Sequence, residues 1–359
     1  MINLRSDTFT LPTVEMRAAI LSAELGDDGY REDPTVIRLE ELAAKKLGKE
    51  SACLMPSGTM ANLCSILAWR SGSGTVVLVG DQSDIYVYED QTVPGWAGII
   101  YQPVPTQPDG TMRLSDIQEE LRRARPDNCQ VKLLCLENPH NLCGGVVLDM
   151  EYLREVADLI HAQGLGLHLD GARLFNAAAR LRISPSEIVQ HSDSVQFCLS
   201  KGLAAPVGSI LAGASAFIER VRIQRKMLGG NMRQAGIVAA AGLVALEQMT
   251  DRLDEDHTNA WLLAQGLALI PGIQIDLSTI QTNTVVFRVT DPRFDCESFI
   301  GAACREGLHL SEFERGRIRA VPHYGITASN IRTALKIVAQ IMSEKPVGRS
   351  NVQGKHRRV

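Results

Sequence analysis

A lysine and an aspartate stand where two apolar segments of this chain end. Lys201 follows the run Ser194 to Leu199 and precedes Gly202, and Asp170 closes the run Leu165 to Leu169. A lysine at the end of a buried strand is desolvated, which lowers its pKa and frees the amine to form a Schiff base with a carbonyl. An aspartate at a strand end can pair with a protonated pyridine nitrogen. Taken alone, Lys201 is better explained as a surface lysine, so its interpretation depends on neighbouring motifs.

Two further motifs suit the remaining parts of one cofactor and its substrate. Ser57-Gly58-Thr59 is a glycine turn before an apolar segment that we predict as a helix running to about Trp69. Backbone N–H groups at a helix N-terminus, with the two hydroxyls, can hold a phosphate. Arg173, three residues after Asp170, can bind a carboxylate with both arms of its guanidinium. Each motif alone is a weak signal, but in this order they predict a pyridoxal-phosphate site.

The composition argues against several other classes of protein. The chain has 359 residues, 45% of them hydrophobic and 22% charged, with a formal net charge of −4. This balance fits an enzyme and gives no electrostatic reason to expect a nucleic acid or a membrane as a partner. The eight cysteines form no C-x-x-C pair and no apolar signal segment is seen, so we expect reduced thiols and a cytoplasmic location. A dehydrogenase or a hydrolase would need G-x-G-x-x-G or G-x-S-x-G, and neither motif is found.

Alternating helices and strands predict an α/β fold. Asp33 and Pro34 begin a helix that Gly48 ends, and a capping box at Ser115 is predicted to begin another. Short apolar strands separated by such helices form a largely parallel sheet that is covered on both faces. Ligands bind at the carboxyl ends of the strands in such sheets, which is where the lysine and the aspartate fall.

The changes of pattern along the chain predict four regions. Residues 1–34 show little periodicity and are predicted to form an N-terminal arm, and residues 35–250 the large domain. Residues 251–345 are predicted to form a small α+β domain. Residues 346–359 are basic and lack apolar periodicity, which predicts a disordered tail.

A series of specific motifs runs along nearly the whole chain. They are Leu4-Arg-Ser-Asp-Thr8, Gly26-Asp-Asp-Gly-Tyr30, Ser57-Gly-Thr59, Leu136-Glu-Asn-Pro-His140-Asn141, His168-Leu-Asp-Gly-Ala-Arg173, Leu199-Ser-Lys201-Gly202, Gly229-Gly-Asn-Met-Arg233-Gln234 and Arg317-Ile-Arg319. Together they resemble the low-specificity L-threonine aldolases, which are fold-type I pyridoxal-phosphate enzymes, over roughly residues 1–345. The resemblance implies a fold-type I, transferase-like large domain with a mainly parallel sheet and a small C-terminal α+β domain. It also implies reversible cleavage of a β-hydroxy-α-amino acid, of the L-threonine or L-allo-threonine type, to glycine and an aldehyde.

The resemblance assigns roles to individual residues. The catalytic residues would be Lys201, Asp170 and His140, the last as general base or hydroxyl ligand. The cofactor residues would be Ser57, Gly58, Thr59, Asp84, Asp170, Arg173, Lys201 and Arg233. The substrate residues would be Ser6, Tyr30, Tyr86, Tyr88, His140, Arg173 and Arg319. Members of this family often complete their sites with a neighbouring subunit, so a homodimer or homotetramer with shared active sites is expected.

Three of these residues, and His168 in one of the motifs, also have a simpler interpretation. Ser6 could be a loop hydroxyl that caps backbone, and Arg319 could be a surface charge on a hairpin. Without the resemblance, His140 would be an ordinary loop histidine. His168 could form half of a metal site with Asp170, but no further ligand cluster is evident, so we interpret it as a core residue and expect no metal.

Asp84 is the main departure from the resembled family, which has a histidine at the matching position. That histidine stacks on the cofactor ring, whereas a carboxylate cannot stack, and its charge near the Schiff base would favour a protonated imine. Two alternatives therefore remain. Either catalysis relies on His140 and water, or the reaction has changed to transaldolation, β-elimination, decarboxylation or amino transfer.

Overall fold

The structure is a computed structural model that describes residues 1–72, 74–89, 97–123, 125, 128–314 and 316–343. The predicted tail, residues 346–359, lies outside the described residues. The strands are β1 Ile2–Asn3, β2 Ser51–Met55, β3 Thr75–Gly80, β4 Ile99–Val104, β5 Gln130–Glu137, β6 Gly166–Asp170, β7 Ser194–Cys198, β8 Ser209–Gly213, β9 Ile273–Gln274, β10 Val285–Val289, β11 Leu308–His309, β12 Ser311–Phe313 and β13 Arg317–Ala320.

Helices cover the sheets and connect most of the strands. They are α1 Val14–Leu21, α2 Pro34–Leu47, α3 Gly58–Trp69, α4 Asp84–Val87, α5 Leu114–Arg122, α6 Met150–His161, α7 Leu174–Leu181, α8 Pro185–Val189, α9 Ser215–Met227, α10 Gly236–Val244, α11 Leu253–Ala268, α12 Cys296–Arg305 and α13 Ala328–Ser343. A π-helical turn, Ala245–Met249, continues α10. None of the helices in the described part of the chain is long and apolar enough to cross a membrane.

A seven-stranded sheet forms the centre of the larger unit, with strand order β2-β8-β7-β6-β5-β3-β4. Its neighbouring strands are parallel except that β8 runs antiparallel to both β2 and β7. The expected α/β fold with a mainly parallel sheet is therefore confirmed.

Helix α2 begins and ends at the capping residues that the sequence predicts. The Asp33 carboxylate accepts hydrogen bonds from the N–H groups of Thr35 and Val36, at 3.1 and 3.0 Å, and Gly48 ends the helix with a φ of 62°. Helix α5 differs from the prediction, because it begins one residue before Ser115 and has no side-chain cap. The Ser115 hydroxyl donates to Asp116 instead, at 3.2 Å.

A second hydrophobic core lies around the C-terminal segment. An antiparallel sheet of order β12-β13-β10-β9 packs with α11, α12 and α13. Ile2 and Leu4 belong to this core, because β1 pairs in parallel with β11 and the Val321 N–H donates to the Leu4 carbonyl at 2.7 Å. The predicted N-terminal arm is therefore divided, since its first strand forms a separate two-stranded sheet with β11 while α1 packs on α10 of the larger unit.

Candidate active site

Three neighbouring parallel strands bring polar side chains together at their carboxyl ends. Glu137 of β5 is paired in register with Asp170 of β6, and Asp170 with Gln196 of β7. Lys201 follows β7 after a short turn. Because parallel strands end at the same edge of a sheet, residues far apart in the sequence meet at one site.

A cavity of about 410 Å³ opens at this edge. Seven of the residues that sequence analysis assigned to the site line it, namely Ser57, Gly58, Thr59, Asp84, Tyr88, Asp170 and Lys201. Residues without an assigned role also line it, among them Asn62, Glu89, Gln196 and Cys198. The predicted phosphate loop, aspartate and lysine therefore share one cavity.

The Asp170 carboxylate is buried and well supplied with neutral donors. Its Oδ2 accepts from Asn62 Nδ2 at 2.8 Å, and its Oδ1 accepts from the Ala172 N–H at 3.0 Å and from Gln196 Nε2. Burial and the nearby Asp84 charge raise the pKa of Asp170, whereas Lys201 and the amide donors lower it. A cationic pyridine ring at this position would favour the ionised carboxylate further.

A buried chain of polar groups orients Asn62. Because Asn62 uses its NH₂ group to donate to Asp170 and, at 3.2 Å, to Glu89, its Oδ1 accepts from His168 Nε2 at 3.1 Å. The other ring nitrogen, Nδ1, is then an acceptor, and the hydroxyls of Ser65 and Ser194 lie 3.0 and 2.9 Å from it. Burial lowers the pKa of His168 to about 3, so the ring is neutral. His168 is thus a core residue, and no group of metal ligands occurs among the described residues.

The N-terminus of α3 faces the same cavity. Ser57 is its N-cap and accepts the Met60 N–H at 3.2 Å, which leaves the first N–H groups of the helix for another acceptor. Position 58 has room only for glycine, since a Cβ there would lie 2.9 Å from Cys198 Sγ. The Thr59 hydroxyl, predicted to hold a phosphate, donates to Glu89 instead. Backbone N–H groups, rather than the two hydroxyls, are therefore the donors that this turn leaves for another acceptor.

The charge on Lys201 differs from the prediction. Burial would lower the pKa of Lys201, but Cys198, Asp7 and Asp84 outweigh the combined effect of burial and Arg173, so the pKa is raised. The segment is also tied down, because Thr10 Oγ1 donates to the Lys201 carbonyl at 2.9 Å. The expectation of a depressed pKa was wrong because the nearby Cys198, together with Asp7 and Asp84 from other segments, outweighs burial.

Arg173 makes a different contact from the one predicted. Its Nε and Nη2 donate to the two oxygens of Asp7, at 2.8 and 2.7 Å, and both side chains are almost completely buried. Burial alone would raise the pKa of Asp7, but Arg173 outweighs it and holds that pKa well below its usual range. This edge of the guanidinium was assigned to a substrate carboxylate. It is occupied because a buried carboxylate requires a counter-charge.

His140 is almost completely buried, with 2% of its surface exposed. Burial lowers its pKa to about 4, although Asp84 and Asp81 oppose this shift. The imidazole is therefore neutral near pH 7, and it is a weaker base than the sequence led us to expect. Its Nδ1 has no hydrogen-bond partner among the described residues.

Asp84 begins α4 and projects its carboxylate into the cavity. Asn141 Nδ2 donates to its Oδ1 at 3.0 Å, and Arg319 Nη1 donates to Asn141 Oδ1 at 3.0 Å. Arg319, from β13, thus reaches the larger unit as the sequence predicted. Burial and the nearby Arg173 charge lower the pKa of Arg319.

The remaining predicted residues lie outside the cavity lining. Ser6 accepts from the Thr8 N–H at 3.2 Å, which is the backbone-capping contact weighed as its alternative role. Tyr30 is 74% exposed. Tyr86 packs against the hydrophobic cluster around Ile85. Arg233 has a side chain that is 68% exposed and pairs with Asp27 at 3.2 Å.

Sequence analysis missed four residues that shape the site. Asp7 lies in the Leu4 to Thr8 motif, but only its serine was assigned a role. Asn62 and Gln196 are polar residues inside otherwise apolar elements, a pattern that indicates a buried hydrogen bond and could have identified them. Glu89, whose pKa burial and the Asp170 charge raise to about 7, gave no local signal.

Comparisons with known proteins agree with this geometry. The model of the β-eliminating lyase family matches residues 3–290. The chain is 41% identical over 344 residues to Low-specificity L-threonine aldolase 1 of Arabidopsis thaliana, covering 95% of this chain and 96% of that protein. It is 43% identical over 267 residues to the Low specificity L-threonine aldolase of Escherichia coli K12, covering 74% and 79% of the two chains. The fold is similar to that of a threonine aldolase from Leishmania major, with a TM-score of 0.81, 16% identity and coverage of 96% and 100%. The chain therefore belongs to the low-specificity L-threonine aldolases within the β-eliminating lyase family.

Proposed function

We propose that this protein is a pyridoxal-phosphate-dependent lyase that cleaves β-hydroxy-α-amino acids, of the L-threonine or L-allo-threonine type, to glycine and an aldehyde. The observation that carries the proposal is the meeting of Lys201, Asp170 and the N-terminus of α3 around one cavity. The relatives that share most of the chain's length are named for the same activity.

The residues around the cavity fit each part of the cofactor. The N–H groups at the start of α3 would hold its phosphate, Asp170 its ring nitrogen and Lys201 its aldehyde carbon. When bound, the cofactor supplies an electron sink for the carbon that loses its substituent. Lys201 carries a proton at rest, because its pKa is raised, so it must release that proton before its amine can act as a nucleophile.

Substrate orientation is assigned to residues near Asp84, which lines the cavity. Arg319 would bind the substrate carboxylate, with Ser6 nearby and the Arg173 charge close enough to lower the pKa of Arg319. His140 would accept the proton of the β-hydroxyl, since its ring is neutral near pH 7. Clamping the carboxylate holds the bond that breaks in the required orientation.

A second candidate function follows from Asp84. Its carboxylate lines the cavity where the resembled family has a stacking histidine. The same cofactor residues could then support transaldolation, β-elimination, decarboxylation or amino transfer on an amino acid. The products formed from a given substrate distinguish these reactions.

Two experiments test the proposal. Borohydride reduction of the cofactor-loaded protein, followed by peptide mapping, should place a pyridoxyl group on Lys201; finding it on Lys226, or on no lysine, would contradict the cofactor site. Incubation with threonine, allo-threonine and phenylserine should release glycine. If another amino acid changes the cofactor absorbance while these three release none, the second candidate function replaces the first.

The assembly and location of the protein are part of the proposal. A homodimer or homotetramer with shared active sites would cover Tyr30 and the exposed Ile223 and Met227, and would give Arg233 a role in a neighbour's site. The eight cysteines are free, which suits a reducing, cytoplasmic location. Light scattering tests the assembly, since a fully active monomer would contradict it.

A further inference from the structure

One carboxylate holds the two backbone segments that carry Asp84 and Asn141. Glu137, at the end of β5, accepts the Asp84 N–H on Oε2 and the Asn141 N–H on Oε1, each at 2.7 Å. The two loops are therefore fixed relative to each other, and the side chains of Asp84 and Asn141 meet at 3.0 Å as a result.

The amide of Asn141 bridges the two structural units. Its Nδ2 donates to Asp84 of the larger unit, and its Oδ1 accepts from Arg319 of the smaller one. An asparagine amide can usually turn over and exchange its donor and acceptor ends. Here the choice is fixed, because the Arg319 guanidinium only donates hydrogen bonds, so the amide oxygen must face Arg319 and the NH₂ group faces Asp84.

Apart from Asn141, few of the described residues make contacts that would fix the orientation of the Arg319 guanidinium. Its Nη2 lies 3.5 Å from the Arg5 carbonyl, and its guanidinium carbon lies 5.0 Å from the centre of the Phe313 ring. Its Nε is buried and has no partner in the described part of the chain. The hydrogen bond to Asn141 is its shortest polar contact, and the guanidinium retains donors for a further acceptor.

We infer that Asp84 is a positioning residue that orients Arg319, through Asn141, to bind the carboxylate of the amino acid substrate. This inference rests on the proposed function and deepens it. It gives the aspartate a role that a stacking histidine does not require, and it makes recognition of an α-carboxylate depend on a residue that does not touch that group.

The test compares two amines that differ by the carboxylate. Binding of glycine and of ethanolamine to the cofactor-loaded protein is measured by the change in cofactor absorbance and by calorimetry, so that no turnover is needed. In Asp84→Asn a neutral amide replaces the carboxylate, so the hydrogen bond that holds Asn141 Nδ2 loses its charge and Asn141 holds Arg319 less firmly. Glycine should then bind about tenfold to a hundredfold more weakly, the range expected for one lost charged hydrogen bond. Ethanolamine should bind as in the wild type.

Two further variants sharpen the result. Asn141→Ala should weaken glycine binding to a similar degree, and combining it with Asp84→Asn should add little, since both changes break one chain of contacts. Asp158→Asn is the matched control, because it makes the same substitution at an exposed carboxylate that pairs with Arg154 at 3.0 Å and does not line the cavity. Its ratio of glycine to ethanolamine affinity should equal that of the wild type.

The experiment distinguishes a failure of this inference from a failure of the proposed function. An unchanged affinity ratio in Asp84→Asn, whether both amines bind normally or both weaken equally, overturns the inference and leaves the proposed function standing. A wild-type protein whose cofactor responds to neither amine overturns the proposed function, and the inference with it.

Discussion

Replacing Asp7 by asparagine removes the anion that balances the buried guanidinium of Arg173. The two hydrogen bonds are short, at 2.7 and 2.8 Å, and the side chains of Arg173 and Asp7 are only 7% and 0% exposed, so water cannot take the place of the carboxylate. Breaking a buried pair by removing one partner costs about 3–5 kcal/mol of the free energy of unfolding. Since asparagine keeps one acceptor oxygen, we expect the lower end of this range, about 3 kcal/mol.

Asp27→Asn is the matched control for this change. Asp27 also pairs with an arginine, Arg233, but at 3.2 Å and with side chains that are 27% and 68% exposed. Exposed pairs contribute no more than about 1 kcal/mol. Both variants would be unfolded in urea at equal protein concentration and with saturating pyridoxal phosphate. If Asp7→Asn loses no more stability than Asp27→Asn, the assignment of a stabilising buried pair is wrong.

The same pair predicts an acid limit to stability. Because the pKa of Asp7 in the folded protein lies below its ordinary value, its contribution is complete above that value and is lost as the pH falls below it. In Asp7→Asn this part of the pH dependence should disappear. A variant that retains the full wild-type acid profile would show that other carboxyl groups determine it.

Two further predictions concern the reaction. Asp170→Asn should lower turnover by orders of magnitude, since an amide cannot keep the ring nitrogen protonated. It should also cost about 1–3 kcal/mol of the free energy of unfolding, because one donor from Asn62 or Gln196 loses its acceptor. Steady-state kinetics and urea unfolding measure the two effects, and wild-type rates would contradict the assigned contact. His140→Ala should lose most of the rate of glycine release from threonine while its cofactor absorbance still responds to glycine. Loss of both responses would instead indicate that His140 supports the cavity.

The parts of the site that could be predicted from the sequence are those encoded locally. Asp170 and Lys201 each follow an apolar run, and a strand end in a parallel sheet is where a ligand binds. The glycine turn before α3 is likewise a local signal, because a helix N-terminus carries free N–H groups wherever it occurs.

The partners of these residues could not be predicted, because they come from distant segments. Asp7 binds Arg173 across 166 positions of sequence, and nothing in either segment indicates the other. The raised pKa of Lys201 has this origin only in part, since Asp7 and Asp84 add to the larger effect of Cys198, which is three residues away. Burial alone, which can be estimated from a strand pattern, predicts a lowered pKa for Lys201.

The pairing of β1 with β11 has a consequence for the order in which the protein is made. Chains are synthesised from the N-terminus, and domains usually fold as they emerge. Ile2 and Asn3 leave the ribosome before the central sheet, yet the strand they pair with, Leu308–His309, is translated after that sheet. A nascent chain that already contains every strand of the central sheet, ending with Ser209–Gly213, still has no partner for β1. Docking of the segment that carries Asp7 is therefore completed after translation of the sheet has finished, when β11 becomes available to β1.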